Sequence, residues 1–380
     1  MLAITNATIV MTDHYIYDGT VLVDDGKIVD FGRKVKIPDG AEILDVNGAY
    51  VGPGLIDIHT HADGETFFND DAEKAADTLL HHGVTDVLPA LYYNMNKEQY
   101  LTAIAYLKDV MASGKAKNII GFYMEGPYLN PKFGCNRENN PWKGPVDAAN
   151  YKDIVDAAGD LAKVWCLAPE RENIEEFVRY AKSVNPNAVF AVAHSEASPE
   201  EIEKIIPYGL KIATHHTNAT GTLNKYPECR SACVDECALY NDSIYTELIC
   251  DKVGIHVDPY MLRLIRKIKG DDKIVLIADS FVEHGPIPDG DLYEGATDIN
   301  FDFMGEIAGS KMILDGPCQN IIKHTGASVC QAFKFASTNP AKVLGLGDRG
   351  RIAVGNVANL IVVDHLFNVK YTVFGGEIVK

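Results

Sequence analysis

The chain has 380 residues, and its 53 Asp and Glu against 35 Lys and Arg give a formal net charge of −18 at pH 7. An acidic surface repels polyanions, which disfavours nucleic acid and anionic membranes as partners. The sequence contains no run of about 18 apolar residues, so we expect no membrane-spanning helix. The N-terminus, Met1–Asn6, lacks the basic region of a signal peptide. Eight cysteines without such a signal suggest free thiols in a reducing compartment, so we expect a cytoplasmic protein.

Both ends of the chain have the pattern of short strands. Residues 1–50 alternate apolar and polar positions around a hairpin signal at Asp25-Gly26, and residues 350–380 repeat the pattern in runs such as Asn359–Val363 and Tyr371–Phe374. A chain of this length exceeds what one hydrophobic core comfortably serves, so we expect a second, small domain.

The middle of the chain alternates apolar, β-branched runs with segments of helical periodicity. The runs are Val51–His61, Val84–Leu91, Asn118–Gly126, Lys163–Glu170, Ala188–Ser195, Lys211–Asn218, Glu247–Val257 and Lys273–Ser280. The helical segments include Asp71–His82, Lys97–Ser113, Ile174–Val184, Pro199–Pro207 and Pro259–Lys269. Eight such strands predict an α/β fold of the TIM type, a (β/α)8 barrel. The competing open doubly wound sheet would normally have a glycine-rich phosphate turn after its first strand, and none is present there.

Two histidines end the first of these runs. Because side chains alternate between the faces of a strand, His59 and His61 point one way and Thr60 the other. Two imidazoles on one face can share a metal ion. Taken alone, the motif could equally be a chance pairing on a solvated strand.

The ends of the other runs favour the metal interpretation. Each run has, towards its C-terminal side, a residue able to bind metal or move protons: His59 and His61, then Glu125, Glu170, His194, His215 with His216, His256, and Asp279. In a barrel these ends meet on the face where active sites are built. One such histidine would more often be structural, but five strands that end this way in one register predict a site.

These residues stand within longer strings that carry a family resemblance. The strings are Gly54-Leu55-Ile56-Asp57-Ile58-His59-Thr60-His61, Glu125-Gly126-Pro127-Tyr128-Leu129-Asn130, Leu167-Ala168-Pro169-Glu170, Ala193-His194-Ser195, Ala213-Thr214-His215, Gly254-Ile255-His256-Val257 and Leu276-Ile277-Ala278-Asp279. Across nearly the whole chain, the sequence resembles the amidohydrolase superfamily and, within it, the N-acetylglucosamine-6-phosphate deacetylases. The second and sixth strings are the most specific, because other amidohydrolases usually lack both.

The resemblance implies a divalent metal cofactor, with one or two ions per subunit. The implied ligands are Glu125, His194 and His215 for one ion, His59 and His61 for a second ion that Glu125 bridges, and Asp279. Some deacetylases of the family lack the first histidine pair and work with one ion. Imidazole and carboxylate ligands suit zinc best, while iron and other divalent ions have overlapping preferences.

Asp279 and His256 are the predicted catalytic residues. A carboxylate at position 279 can take the proton of an attacking water and return it to the leaving amine. The structural alternative for Asp279 is a turn or helix-cap residue, since Asp279-Ser280 precedes a loop. By resemblance, His256 contacts the substrate and polarises its carbonyl group.

The resemblance also implies a small-molecule substrate, a phosphorylated amino sugar. Asn218 and Ala219 match the start of a loop that grips the phosphosugar, and Arg230 stands at the spacing of an arginine borrowed from the partner subunit, which implies a homodimer. The family usually has an aromatic residue before Asn218 and a methionine after Ala219, and this chain has Thr217 and Thr220 there.

The loop after the third strand departs from the family as well. Asn136 stands where relatives have a histidine, and Arg137 or Lys132 could supply a replacement positive charge. Equally, the substrate could lack phosphate. A local arginine can hold phosphate even in an acidic protein, so net charge does not decide between these alternatives.

Three functions therefore remain open. The first is a deacetylase of an N-acetylated amino sugar, the second an amidohydrolase for another amide such as an N-acyl amino acid or a cyclic amide. The third, a non-enzymatic assembly protein on this scaffold, conflicts with the complete ligand set. By resemblance, residues 1–51 and 350–380 form a β-sandwich domain and residues 52–349 the catalytic barrel.

Two further segments have predictable features. Cys229, Cys233 and Cys237 would line one face of a helix, and we favour small packing residues over a metal or cluster site there. Phe281–Glu306, rich in Gly, Asp and Pro, predicts a long loop over the barrel mouth.

Overall fold

The computed structural model describes residues 1–221 and 224–380. Its strands are β1 (Leu2–Val10), β2 (Tyr15–Asp24), β3 (Lys27–Gly32), β4 (Glu42–Asp45), β5 (Tyr50–Pro53), β6 (Leu55–Thr60), β7 (Val84–Tyr92), β8 (Phe122–Glu125), β9 (Ala162–Leu167), β10 (Val189–Val192), β11 (Leu210–Ala213), β12 (Asn224–Tyr226), β13 (Cys229–Arg230), β14 (Tyr245–Ile249), β15 (Ile274–Ile277), β16 (Ile299–Phe301), β17 (Ile307–Ser310), β18 (Leu360–Val363), β19 (Val369–Phe374) and β20 (Glu377–Ile378). Its α-helices are α1 (Ala72–His81), α2 (Lys97–Ser113), α3 (Ala148–Ala158), α4 (Ile174–Val184), α5 (Pro199–Ile205), α6 (Val234–Tyr240), α7 (Pro259–Lys269), α8 (Asp315–Thr325), α9 (Val329–Phe333) and α10 (Asn339–Leu344).

Eight parallel strands form a nearly closed barrel in the order β6, β7, β8, β9, β10, β11, β14, β15. Two backbone hydrogen bonds connect the ends of the edge strands β6 and β15. The Asp279 amide donates to the His59 carbonyl and the His61 amide donates to the Ser280 carbonyl, both at 2.9 Å. Every residue of β6, β7 and β8 is buried, as expected for strands covered on both faces. The predicted (β/α)8 barrel is confirmed.

The helices around the barrel follow the capping signals in the sequence. The helices α2, α4 and α7 have the predicted bounds, and α1 and α5 lie within the predicted segments. In α2, Asn96 and Gln99 form a reciprocal capping box at the start, and Gly114 ends the helix with φ of 74°. The barrel strands are mostly shorter than the predicted runs, and His194, His215 and Asp279 lie two residues beyond the ends of β10, β11 and β15.

The two chain ends form one eight-stranded sheet of β1–β5 and β18–β20. The two ends join where β5 pairs antiparallel with β18, with Val51 opposite Val362. Side chains of this sheet, including Leu2, Ile9 and Leu360, form an apolar core separate from that of the barrel. The prediction that both ends build one β domain is confirmed, while its exact boundaries stay a prediction.

Two segments at the rim differ in detail from their predictions. The stretch after β15 contains the β16–β17 hairpin, so it is not a plain loop. The three spaced cysteines do not share a helix face, because Cys229 lies in β13 and α6 begins only after Cys233. All eight cysteines are free thiols. No helix within the described residues is long and apolar enough to cross a membrane.

Candidate active site

A cavity of about 500 Å³ opens at the carboxyl ends of the barrel strands. Six of the predicted strand-end residues line it: His61, Glu125, His194, His215, His256 and Asp279. His59 lies behind His61 and is fully buried. The barrel therefore brings side chains from the ends of β6, β8, β10, β11, β14 and β15 to one place, as the strand-end pattern predicts.

Glu125 lies at the centre of this group. Its Oε1 atom is 3.1 Å from His194 Nε2 and 3.2 Å from His215 Nε2. Its Oε2 atom is 3.1 Å from His61 Nε2 and 3.7 Å from His59 Nε2. One carboxylate thus faces two pairs of imidazoles, one pair with each oxygen.

Asp279 completes the group on the side of the His59–His61 pair. Its Oδ1 atom lies 3.4 Å from His61 Nε2 and 3.7 Å from His59 Nε2. The Thr60 hydroxyl instead donates to the Ala62 carbonyl, so it does not join the two imidazoles. The potential ligand atoms fall into two sets, His59 with His61 and Asp279, and Glu125 with His194 and His215, each within 4.8 Å of one another.

The chemistry of this donor set fits divalent metal ions. Neutral imidazole and carboxylate are the usual ligands of zinc and of similar ions in proteins. His59 Nε2 is buried and has no hydrogen-bond partner among the described residues, although it faces the carboxylates of Glu125 and Asp279. A buried nitrogen left without a partner is costly unless a ligand occupies the site. The residues present therefore suit a cation between them.

The electrostatics of the site favour the same conclusion. Burial alone would raise the pKa of Glu125, but hydrogen bonds from the imidazoles around it hold that pKa well below its usual value. Burial also opposes ionisation of Asp279, yet the adjacent His59 and His61 lower its pKa to about 2. Burial lowers the pKa of His194, whereas for His59, His61 and His215 burial is outweighed by the facing carboxylates, which raise the pKa, so these carboxylates favour positive charge beside them. Both carboxylates are thus anions at neutral pH.

Three of the candidate ligands have a strained backbone. The φ angles of His194, His215 and Asp279 are 45°, 30° and 44°, in the left-handed region that residues with a side chain rarely adopt. Such conformations cost about 1–3 kcal/mol each and persist where the surrounding fold holds them. Each of these residues lies two positions beyond the end of its strand, and its own side chain lines the cavity.

Two carboxylates that the sequence analysis did not assign support the histidines from behind. Glu247 Oε2 lies 3.2 Å from His59 Nδ1, and Asp251 Oδ2 lies 3.1 Å from His256 Nδ1. Glu247 begins the seventh predicted run, and a charged residue in a buried strand is a signal that could have identified it. Asp251 follows the same strand but offers no comparable signal.

His256 is held with one nitrogen towards the cavity. Asp251 accepts hydrogen bonds from the backbone amides of Val253, Gly254, Ile255 and His256, which folds the loop after β14 around this carboxylate. Because Asp251 also lies at Nδ1 of His256, the Nε2 atom is the one left for a substrate. It is buried and has no partner among the residues described.

The predicted substrate residues are only partly brought together. Asn218, Ala219 and Arg137 line the cavity. Asn136 is not among the lining residues, and its amide donates to Glu283 at 3.1 Å. Arg230 lies in β13 outside the cavity, with an exposed side chain 2.6 Å from Glu236. The Thr220 hydroxyl donates to Asp235 at 3.1 Å, outside the cavity lining.

Two strand-end residues have structural surroundings instead. Glu170 accepts hydrogen bonds from Asn130, Ser195 and the Glu196 amide, which ties together neighbouring loops. His216 is buried away from the cavity lining, 3.4 Å from Asp235. Strand-end position alone therefore did not separate these residues from the cavity residues.

Known proteins resemble this chain over its whole length. The sequence model of the amidohydrolase family matches residues 50–379. The N-acetylglucosamine-6-phosphate deacetylase of Bacillus subtilis is 28% identical, in an alignment covering 99% of this chain and 96% of that protein. The N-acetylgalactosamine-6-phosphate deacetylase of Escherichia coli O157:H7 is 24% identical, covering 96% and 99%. The crystal structure of N-acetylglucosamine-6-phosphate deacetylase from Thermotoga maritima matches with a TM-score of 0.83 at 27% identity, covering 100% and 99% of the two chains.

Proposed function

Because the chain belongs to the amidohydrolase family, whose model matches residues 50–379, we propose that it is a metal-dependent deacetylase of an amino sugar phosphate. It would hydrolyse the N-acetyl amide of N-acetylglucosamine 6-phosphate or of an epimer to acetate and the free amine. The observation that carries this proposal is the Glu125 carboxylate, which faces two imidazole pairs at the floor of a cavity large enough for a sugar. The similar deacetylases supply the substrate class.

The family and the two ligand sets support a divalent metal cofactor. In the proposal, Glu125, His194 and His215 hold one ion, His59, His61 and Asp279 hold a second, and zinc is the metal. A bound divalent cation lowers the pKa of water and polarises an amide carbonyl. The protein would supply the rest through residues that bind, orient and move protons.

Asp279 is the proposed general base and acid. The adjacent His59 and His61 lower its pKa and keep the carboxylate ionised, which is the form that can accept the proton of the attacking water. The same oxygen would return that proton to the leaving amine. His256 would contact the amide carbonyl through Nε2, since Asp251 occupies the other side of its ring.

Asn218 and Ala219 are proposed to bind the sugar, since both line the cavity. Arg137 is the proposed ligand of the phosphate, with Lys132 beside it in the same wall. The proposed assembly is a homodimer, in which the exposed hairpin that bears Arg230 reaches the neighbouring subunit. The proposed location is the cytoplasm. The proposed domains are a β domain of residues 1–51 and 350–380 and a barrel of residues 52–349.

A second function, hydrolysis of an amide without phosphate, is favoured by one observation. Lys132 and Arg137 in the cavity wall are paired with Glu196 and Glu306. An anionic substrate would have to replace these carboxylates. The assembly-protein alternative is not supported, because the full set of candidate ligands is present.

The experiment is a measurement of acetate release by zinc-loaded protein. The substrates are N-acetylglucosamine 6-phosphate, its galacto epimer, the two dephosphorylated sugars and a panel of N-acetyl amino acids. We expect one phosphosugar to be hydrolysed at least about 100-fold more efficiently than its dephosphorylated form, equivalent to one charged phosphate contact. Asp279→Asn, prepared in parallel, controls for contaminating hydrolases.

The other outcomes separate the alternatives. Equal hydrolysis of phosphorylated and dephosphorylated sugars would support a deacetylase of amino sugars but contradict recognition of the phosphate. Hydrolysis of an N-acetyl amino acid alone would support the second function. Release from no sugar by protein shown to contain metal would refute the proposal.

A further inference from the structure

Glu247 is a buried carboxylate that lies beside the candidate metal ligands without being one of them. It is in β14, its exposed fraction is 0%, and its Oε2 atom lies 3.2 Å from His59 Nδ1. The Tyr123 hydroxyl and the His215 amide approach the same oxygen at 3.4 Å. Its Oε1 atom has no hydrogen-bond partner, and no Lys or Arg forms a salt bridge with it among the described residues. The shortest contact of this carboxylate is therefore with the imidazole of His59.

His59 differs in this contact from the other three candidate metal histidines. His61 Nδ1 faces the Ala90 carbonyl at 3.2 Å, and the Nδ1 atoms of His194 and His215 have no partner among the residues described. A carboxylate behind a metal-binding imidazole fixes its orientation and makes its other nitrogen a stronger ligand. Glu247 therefore contacts an imidazole of the His59–His61–Asp279 set and meets the other set only through the backbone amide of His215.

We propose that Glu247 is a positioning residue that enables the His59–His61–Asp279 set to bind a second metal ion. The inference rests on the proposed metal assignment and goes beyond it, because it makes the number of ions depend on a residue that does not touch them. Glu247 would orient His59 through Nδ1, so that Nε2 stays directed at Glu125 and Asp279.

The test counts metal ions in the full-length protein and its variants. Metal is removed with a chelator, excess Zn²⁺ is added, unbound metal is removed by gel filtration, and zinc per chain is measured. Glu247→Gln keeps the shape and one hydrogen-bond acceptor but replaces the carboxylate with an amide. Glu247→Leu removes the acceptor as well. Thr214→Val is the matched control, because Thr214 contacts Tyr123 and not His59.

We expect two ions per chain in the wild type and in Thr214→Val, and one in both Glu247 variants. A titration with Co²⁺, followed by its visible absorption, should show two binding phases in the wild type. In Glu247→Gln the weaker phase should shift by about 10- to 100-fold in affinity or be lost. The stronger phase should be unchanged, which a general loss of folding would not produce.

Two results would overturn the inference: one ion per chain in the wild type, or two ions with wild-type affinities in Glu247→Gln. Thermal unfolding checks that each variant is folded, and the near-isosteric Gln variant decides the question if the Leu variant does not fold. Metal binding is read without turnover. A wild type that binds two ions but hydrolyses no amino sugar would therefore refute the proposed function and leave this inference standing.

Discussion

The guanidinium group of Arg137 donates two hydrogen bonds to the carboxylate of Glu306 across the cavity, at 2.6 and 2.8 Å. Arg137 belongs to the loop after β8, and Glu306 precedes β17 in the segment after β15. The pair therefore joins the two segments that border the cavity. A phosphate bound by Arg137 would compete with Glu306 for the same donors, because both present oxygen atoms to one planar fork.

This competition gives two substitutions opposite expected effects. Arg137→Ala should raise KM for the phosphorylated sugar by about 10- to 100-fold, since a charged hydrogen bond contributes roughly 1.5–3 kcal/mol. Glu306→Gln should lower that KM, because it frees the guanidinium group. Neither change should affect the dephosphorylated sugar comparably. Steady-state kinetics on both sugars measure this, with Arg179→Ala as a control arginine that pairs with Glu175 on α4.

An equal effect of Arg137→Ala on both sugars would contradict phosphate binding by Arg137. A higher KM in Glu306→Gln would instead show that the ion pair supports the shape of the cavity. The two variants together thus distinguish phosphate binding by Arg137 from a role of the Arg137–Glu306 pair in holding the shape of the cavity.

Asp279→Asn should remove most of the turnover and leave the protein folded. The side-chain amide that replaces the carboxylate cannot accept a proton, and general acid–base catalysis contributes typically about 10²–10⁴-fold. We expect kcat to fall by that factor while KM changes much less. Circular dichroism and zinc content per chain check the fold and the metal, and near-normal turnover would exclude Asp279 as general base.

The sequence was informative about the site because the barrel converts a linear pattern into a spatial one. His61, Glu125, His194 and Asp279 each end an apolar run, and parallel strands place all such ends on one face. This pattern did not distinguish Glu170, which also ends a run but bonds neighbouring loops. Only the direction of a side chain separates the two kinds of residue.

The partners of the site residues were not predictable in the same way. Glu247 contacts His59 across 188 positions of sequence, and Glu306 contacts Arg137 across 169. No periodicity links residues so far apart. The left-handed backbone at His215 was equally hidden, since nothing in its type predicts a φ of 30°.

Asp251→Asn tests how His256 is positioned. The substitution would present an amide group to donors that now meet a carboxylate, so the loop after β14 and the ring of His256 should lose their fixed arrangement. We expect kcat/KM to fall by about 10- to 100-fold, as for other residues that orient a functional histidine. The neighbouring Lys252→Ala, whose side chain is exposed, is the control.

Zinc content distinguishes this role from a loss of metal. It should be unchanged in Asp251→Asn, because His256 belongs to neither ligand set. Lower zinc content, or wild-type kcat/KM, would contradict a role limited to positioning His256.

Lys269 predicts a pH dependence of stability away from the cavity. Its ammonium group lies at the end of α7 and donates to the carbonyls of Ala238 and Asn241, at 2.8 and 2.6 Å. Burial lowers its pKa to about 8, from an ordinary value of 10.5, and the neighbouring Lys273 acts in the same direction while Asp242 opposes it. Between these two values the unfolded chain binds more protons than the folded protein. The free energy of unfolding contributed by Lys269 therefore rises with pH across this window.

Below pH 8 the lysine is charged in both states, and above about pH 10.5 it is neutral in both, so its contribution is constant outside the window. In Lys269→Met this contribution is absent at every pH. The difference in unfolding free energy, wild type minus variant, should thus increase from pH 8 to pH 10.5, and urea denaturation of both proteins across that range measures it. A difference that stays flat would mean that Lys269 keeps an ordinary pKa in the folded protein, and one that falls would mean that this pKa is raised.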